Sequence, residues 1–239
     1  MLPWNAEELA FDKERFSGTV RLFPLPDLIM FPHVMQPLHV FESRYRDLLN
    51  EALDSDGLIA MSVLSPGWED DYEGRPSVLP HACLGKVVTH ERTDDGHYNV
   101  LLLGLRRVRI EKELPPLKSF RQAEVTLLDD YYEEDNTPER LDLQTALTQQ
   151  FEEALPGDGQ LASPNLRELL TADVPLGVLT DLVSFALPLE FDLKCKLLSE
   201  SDIDIRAMML LDALEKTPEQ IDPPESQSSG PFLPPFSQN

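Results

Sequence analysis

The stretch that decides the fold is residues 20–53, VRLFPLPDLIMFPHVMQPLHVFESRYRDLLNEAL. Its first half places prolines at positions 24, 26, 32 and 37 among apolar residues. Each proline fixes its own φ, lacks a backbone donor and pushes the preceding residue towards extended geometry. We therefore predict short, bent strands that lie at an edge or a corner of a sheet.

After Phe41 the pattern changes to the period of a helix. Apolar residues then fall at i, i+3, i+4, i+7 and i+8, namely Tyr45, Leu48, Leu49, Ala52 and Leu53. Charged residues occupy the other side, and Asp54-Ser55-Asp56-Gly57 supplies an end signal. The pattern predicts one amphipathic helix directly after the bent strands.

Further strands are predicted downstream from continuous or alternating apolar runs at residues 58–64, 84–92, 97–103, 106–114 and 123–128. Asp95-Gly96 favours a tight turn between the second and third of these runs, because glycine accepts a positive φ. Residues 65–80, which include Trp68 and Tyr72, are predicted to form an acidic loop. A second acidic loop at residues 129–136 indicates a boundary.

Beyond that loop the periodicity becomes helical, and we expect four or five helices. Helix starts are predicted at Thr137-Pro138, Ser163-Pro164 and Asp173-x-Pro175, and a capping box at Ser201-x-x-Asp204 ahead of residues 205–214. Residues 222–239 are rich in proline, serine and glutamine, which is typical of a disordered tail.

Two segments carry a family resemblance. Residues 22–45, LFPLPDLIMFPHVMQPLHVFESRY, resemble the opening of the amino-terminal substrate-binding domain of the Lon protease family. Residues 181–215 resemble the helical bundle that completes that domain, including the turn Leu187-Pro188-Leu189. The resemblance implies an α+β fold, with a small bent PUA-like β-barrel, the type of pseudouridine-synthase-associated RNA modules, followed by a helical bundle. The predicted parts are an N-terminal extension (1–18), the barrel (19–130), the bundle (137–216) and the disordered tail (222–239).

The resemblance also implies a function, because in this family the domain helps to select protein substrates for an ATPase and a peptidase. A phosphate-binding loop is missing from this sequence: Gly85-Lys86 is followed by Val87, and Pro80 stands where the first glycine should be. No counterpart of the family's Ser and Lys catalytic pair is found. We therefore predict a non-catalytic polypeptide-recognition module without a cofactor, an adaptor or regulator in proteolysis. The candidate peptide-binding residues are Met30, Phe31, Met35, Trp68 and Tyr72.

A metal site is not predicted either. His81 and Cys83 share a strand face, and His90 and His97 lie at the ends of the hairpin, but no second ligand pair of typical spacing supports them. Structural or exposed roles are therefore the better interpretation of these residues.

The net charge of the chain indicates which kinds of partner it can bind. The chain has 43 acidic and 20 basic residues and a net charge of -23, which disfavours binding to a polyanion. It has neither a run of about 18 apolar residues nor a basic start followed by an apolar run. We expect a cytoplasmic protein whose partners are unfolded or extended polypeptide and a full-length protease, with no nucleic acid and no membrane. The alternatives are an RNA-binding or small-ligand-binding PUA-like module, which the charge disfavours for RNA, and a degenerate peptidase, which the missing motifs disfavour.

Overall fold

The computed structural model describes residues 11–71, 74–133, 137–154 and 174–216. The chain divides between Leu128 and Asp129 into two compact units, called here the sheet unit and the helical unit. The sheet unit contains β1 (Thr19–Leu25), β2 (Met35–Val40), α1 (Ser43–Leu53), β3 (Leu58–Val63), a 3-10 helix (Trp68–Asp71), β4 (His81–Arg92), β5 (Tyr98–Glu113) and β6 (Arg121–Leu128). The helical unit contains α2 (Thr137–Ala154), α3 (Leu176–Ala186), α4 (Phe191–Ser199) and α5 (Ile203–Lys216). The predicted limits of the barrel and the bundle stay predictions, and the predicted tail lies outside the described residues.

The six strands form one mixed sheet in the order β2-β5-β4-β3-β1-β6. Its described strand pairs are antiparallel except β1 and β3, which run parallel. Strand β6 pairs with β1 and also with the second half of β5, so the sheet closes back on itself and leaves β2 outside the ring. The α+β prediction is confirmed, and the predicted barrel takes the form of this irregular mixed sheet instead of a clean barrel.

The strand prolines lie at open edges. Strand β1 pairs with β6 only through Thr19–Leu22, so Pro24 has a neighbouring strand on one side only, β3. Pro37 lies in β2, which pairs only with β5. A proline has no N–H group to donate to a neighbouring strand, and on a side without a neighbouring strand no such hydrogen bond is needed. The prediction of edge or corner strands is therefore confirmed at both positions.

Strand β5 is one continuous strand, and its prediction as two separate strands was wrong. The reason lies at Gly104, where an added Cβ atom would stand 2.1 Å from the carbonyl oxygen of Phe31. The His33 N–H donates to the Gly104 carbonyl (2.8 Å), and the Gly104 N–H donates to the Val34 carbonyl (2.9 Å). Because glycine permits this close approach, β5 continues unbroken while its neighbour on this side changes from β2 to β6.

Helix α1 and the β4–β5 turn confirm their predictions. The turn contains Gly96 at φ 83°, and Thr93 N–H donates to the His97 carbonyl at 3.0 Å. In α1 the buried residues are four of the five predicted for its apolar face: Tyr45, Leu48, Leu49 and Ala52. Fully burying side chains of leucine size contributes about 1.5–3 kcal/mol each, so this face holds α1 against the sheet.

The helical unit packs α2, α3 and α5 against one another. Leu147 and Phe151 of α2 are both fully buried. Helix α3 begins at Leu176 with Pro175 as its N-cap residue, and the predicted start at Ser163-Pro164 lies outside the described residues. No helix in the described ranges is long and apolar enough to cross a bilayer.

The start of α5 corrects the predicted capping box. The Asp202 carboxylate, instead of Ser201, accepts hydrogen bonds from the backbone N–H groups of Asp204 (2.9 Å) and Ile205 (3.1 Å). The helix begins at Ile203, two residues before the predicted start. Asp204 is therefore available for another partner, and its carboxylate receives two hydrogen bonds from Arg140.

Candidate functional site

A cavity of about 190 Å³ opens in the sheet unit. It lies where the ends of β1 and β3 come close to the start of α1 and the start of β6. Four separate stretches of chain line it: Pro24; Arg44 and Tyr45; Leu64, Gly74, Arg75 and Pro76; and Ser119, Phe120 and Arg121. Every lining residue that the structure describes belongs to the sheet unit.

Buried aromatic and aliphatic residues form the floor of the cavity. The Tyr45 ring stacks on Phe23 with 4.1 Å between centroids, and its hydroxyl donates to the Pro24 carbonyl at 3.1 Å. Leu64 and Phe120 are both buried. A stacked tyrosine with a satisfied hydroxyl holds one position, so the floor offers a preformed surface for an apolar side chain.

Arg121 forms one wall and has its charge compensated. Its Nε donates to Glu113 at 2.9 Å, its Nη2 donates to the second carboxylate oxygen of Glu113, and its Nη1 donates to the Pro76 carbonyl at 2.8 Å. A guanidinium that binds both oxygens of one carboxylate has a defined orientation. Arg121 therefore fixes Pro76 in the wall of the cavity.

The other two arginines of the lining differ in their surroundings. The Arg44 Nη2 lies 2.7 Å from Glu42 Oε2, and its guanidinium carbon lies 5.3 Å from the Tyr45 ring centroid. Arg75 is exposed and forms no ion pair with a carboxylate of the described residues. The positive charge that is most accessible at the rim is therefore that of Arg75.

The loop before β6 is tied to α1, which keeps Ser119 and Phe120 in place. Lys118 forms an ion pair with Glu51, and the Ser119 hydroxyl donates to Asp47 Oδ2 at 2.7 Å. Burial alone would raise the pKa of Glu51, but its hydrogen bonds and charge interactions with Lys118 and Arg21 together lower it. The loop is thus fastened by a charged group that stays ionised at neutral pH.

Four of the five predicted peptide-binding residues are described by the structure, and these four do not come together at this cavity. Met30 is 1% exposed and Phe31 is 0% exposed, so both side chains belong to the core in this structure. Met35 and Trp68 are half-buried, and Tyr72 lies outside the described residues. None of the four described residues lines the cavity. Their role in binding stays a prediction, for which the half-buried Met35 and Trp68 are better placed than the two core residues.

Sequence reasoning missed the cavity because its lining comes from four distant stretches, and only the fold brings them together. One signal was present in the sequence. Within the predicted acidic loop at residues 65–80, Arg75 is the single basic residue among four acidic ones. The loop that carries Trp68 continues directly into the cavity wall at Gly74, Arg75 and Pro76.

Metal binding and nucleophilic catalysis have less support in the structure. Within residues 11–71, 74–133, 137–154 and 174–216, no group of three or more His, Cys, Asp or Glu residues could hold a metal ion. Burial and the nearby Arg109 charge lower the pKa of His81. Cys83 is buried, and burial together with the Asp192 charge raises the pKa of Cys195 to about 11. A thiol with so high a pKa stays protonated at neutral pH and is a poor nucleophile.

The family is decided by comparison with known proteins. A family model for the ATP-dependent protease La (LON) substrate-binding domain matches residues 19–216. The chain belongs to the Lon substrate-binding domain family. This confirms the resemblance seen in residues 22–45 and 181–215, and the match includes both the sheet unit and the helices of the helical unit.

Individual relatives agree with the Lon assignment. The chain is 24% identical over 220 residues to a Lon protease of Cytophaga hutchinsonii, which covers 88% of this chain and 26% of the relative. The chain therefore spans about a quarter of the length of that relative. A crystal structure of a Lon N-terminal domain protein from Xanthomonas campestris superposes with a TM-score of 0.59 at 21% identity and covers 81% of this chain and 97% of that one. The N-terminal domain of a Mycobacterium avium complex Lon protease gives a TM-score of 0.65 at 16% identity and covers 83% and 98%. These two structures share the Lon N-terminal fold with this chain.

Proposed function

We propose that this chain recognises extended or unfolded polypeptide without catalysing a reaction on it, and that it acts as an adaptor or regulator in proteolysis. The observation that carries the proposal is the cavity, which buried apolar residues and three arginines line, in a chain of the Lon substrate-binding domain family. Association with a full-length Lon protease and a cytoplasmic location belong to the same proposal.

The size of the cavity supports a peptide side chain as the ligand. Pockets for cofactors and drug-sized ligands usually enclose about 300–1,000 Å³. At about 190 Å³ this cavity is smaller, and it suits one or two side chains of a longer chain that continues across the surface. The mixture of a floor with buried aromatic rings and a charged rim is the usual composition of a recognition site, in which apolar burial supplies affinity and polar groups supply orientation.

The end of β1 beside the cavity offers an extended ligand little backbone pairing. Beyond Leu22 no described strand pairs with β1 on the side of β6, but Phe23, Pro24 and Leu25 are buried, and Pro24 lines the cavity. The Pro24 nitrogen carries no hydrogen, and its carbonyl already accepts the Tyr45 hydroxyl. A peptide at this edge gains few backbone hydrogen bonds. Side-chain burial must then supply most of the affinity, and we expect a dissociation constant of about 10–100 µM.

The test is a titration of a fluorescently labelled, permanently unfolded model protein, such as reduced and carboxymethylated α-lactalbumin, read by anisotropy. Ser119→Phe places a bulky side chain at the exposed mouth of the cavity and should weaken binding at least fivefold. Thr89→Phe adds the same bulk at an exposed position of β4 that does not line the cavity, and it should bind like the unmodified protein. Met35→Ala and Trp68→Ala test the two half-buried candidates in the same assay.

Three control assays test whether the protein has another activity. ATP hydrolysis and casein cleavage by the pure protein should both be absent, and turnover in either assay would contradict the non-catalytic role. Mixed-sequence RNA should not bind at micromolar protein in about 150 mM salt, because a net charge of -23 repels a polyanion. Saturable RNA binding would favour the PUA-like RNA module instead. If no unfolded polypeptide binds, polypeptide recognition at this cavity is wrong.

A further inference from the structure

The rim of the cavity contains one arginine whose charge the described residues do not compensate. Arg121 is held by Glu113, and Arg44 lies against Glu42, whereas Arg75 is exposed at the rim without a carboxylate partner among the described residues. From this geometry we infer that the cavity prefers a peptide residue that carries a carboxylate, which Arg75 binds at the rim while the neighbouring apolar side chain of the peptide enters the floor. The inference rests on the proposed function and names the ligand chemistry of the same site.

The carboxylate has two possible sources in a polypeptide. One is an Asp or Glu side chain, and the other is the carboxylate at the C-terminus. Both present two oxygen atoms in the plane that a guanidinium fork matches. The volume of about 190 Å³ accommodates either arrangement, since each needs room for only one or two side chains behind the charged group.

The net negative charge of the protein repels a peptide that carries a carboxylate. This repulsion must be compared with the attraction of Arg75, and the two act over different distances. Repulsion between the -23 chain and an acidic peptide acts over long distances and is largely screened beyond about 8 Å at physiological salt. The contact with Arg75 acts at hydrogen-bond distance, where screening is weak. The contact therefore decides which peptide stays bound, while the net charge mainly slows the approach of acidic peptides.

One acid, Asp71, lies close to the cavity lining beside Arg75. Asp71 lies so close to Gly74 that a Cβ atom added at Gly74 would stand 2.1 Å from Asp71 Oδ1. Gly74 lines the cavity next to Arg75. Replacing Asp71 by Asn removes a negative charge from this side of the rim and should strengthen binding of a carboxylate-bearing peptide without strengthening binding of a neutral one.

The experiment compares three labelled peptides on the full chain. The first is fluorescein-Gly-Ser-Gly-Ala-Leu-Phe with a free C-terminal carboxylate, the second is its C-terminal amide, and the third is an amide with Glu in place of Ala. We expect the first or the third to bind about three- to tenfold more tightly than the neutral amide at about 150 mM salt, as for one partly exposed charged hydrogen-bonded pair. Whichever of the two gains affinity identifies the source of the carboxylate.

Variants assign the preference to Arg75. Arg75→Gln should abolish the difference between charged and neutral peptides, and Arg75→Lys should keep part of the difference. The matched control is Arg15→Gln, which removes the same charge from a side chain that is 88% exposed and does not line the cavity. It should keep the full preference.

The outcomes separate the inference from the proposed function. Equal binding of all three peptides, or a preference that survives Arg75→Gln, overturns the carboxylate inference and leaves polypeptide recognition intact. If none of the three peptides binds but the unfolded model protein does, the inference is also wrong. If neither the peptides nor the unfolded protein binds, the proposed function itself fails.

Discussion

The sheet unit and the helical unit each contain an arginine that binds both oxygens of one carboxylate, and the two pairs have different consequences. In the sheet unit, the side chain of Arg121 is 10% exposed and lines the cavity, and that of its partner Glu113 is 29% exposed. In the helical unit, Arg206 is 0% exposed and donates to Asp130 at 2.8 and 3.0 Å. The same chemistry thus orients a site in one unit and stabilises the interior in the other. Burial decides the difference, because a charge without water depends entirely on its partner.

The largest expected effect comes from breaking the buried pair. Asp130→Ala leaves the Arg206 guanidinium buried without its carboxylate, and loss of one partner of such a pair costs about 3–5 kcal/mol. Hydrogen exchange read by mass spectrometry should show lost protection in α3 and α5, with β4 and β5 unchanged. Glu113→Ala breaks the sheet-unit pair and should cost less, about 1–2 kcal/mol, since Arg121 keeps its hydrogen bond to the Pro76 carbonyl and its side chain is 10% exposed, against 0% for Arg206.

The double replacement Asp130→Leu with Arg206→Met sharpens the same comparison. It removes both charges and fills their space with apolar atoms, so much of the lost protection should return. If Asp130→Ala and Glu113→Ala lower the free energy of unfolding by the same amount, burial does not distinguish the two pairs.

The second prediction compares a glycine in each unit. Gly104→Ala brings a Cβ atom within 2.1 Å of the Phe31 backbone, which cannot move without displacing β5, and should cost about 3 kcal/mol or more. Gly177→Ala meets only side-chain atoms, with Asp130 Oδ2 at 2.8 Å, and gains about 1 kcal/mol of helix propensity. Asp130 Oδ2 also accepts from the buried Arg206, so this carboxylate must shift by a few tenths of an ångström, and the net cost at Gly177 should stay below that at Gly104, where backbone blocks the Cβ atom. Denaturant titrations of the two variants measure the difference, and a larger cost at Gly177 would contradict it.

The third prediction concerns the start of α5. Asp202→Ala removes the acceptor of two backbone hydrogen bonds and should cost about 1 kcal/mol, which thermal or urea unfolding detects. Ser201→Ala, the change at the position that the sequence suggested, should cost almost nothing. A larger cost for Ser201→Ala than for Asp202→Ala would instead support the capping box predicted from the sequence.

The smallest expected effect is at Glu51, which fastens the loop beside the cavity. Its pKa is lowered in the folded protein, so its contribution to stability is present above the pKa of the unfolded chain, about 4.3, and is lost as the pH falls through the lower folded value. Glu51→Gln should cost about 1 kcal/mol or less at pH 7, because the pair with Lys118 is partly exposed. The difference from the unmodified protein should vanish in acid and shrink in high salt. A difference that persists at pH 3 would contradict this assignment.

Local patterns predicted many elements correctly. The apolar positions of α1, the Asp95-Gly96 turn and the edge location of the strand prolines depend on neighbours within a few residues, and such short-range rules can be read from a sequence. The errors fall where two distant segments meet. Strand β5 continues through Gly104 because Phe31 lies against it, and Asp202 caps α5 while Asp204 binds Arg140.

The sequence by itself determined the α+β class, the family and the order of strands before helices, because periodicity, proline positions and a family pattern in residues 22–45 are local properties. Only the tertiary structure decided where the candidate site lies. It buried Met30 and Phe31, which the sequence offered as ligand contacts, and it assembled a cavity from Pro24, Tyr45, Arg75 and Phe120. The physical reason is that burial and a cavity depend on which distant surfaces pack together, and no short window of sequence contains that information.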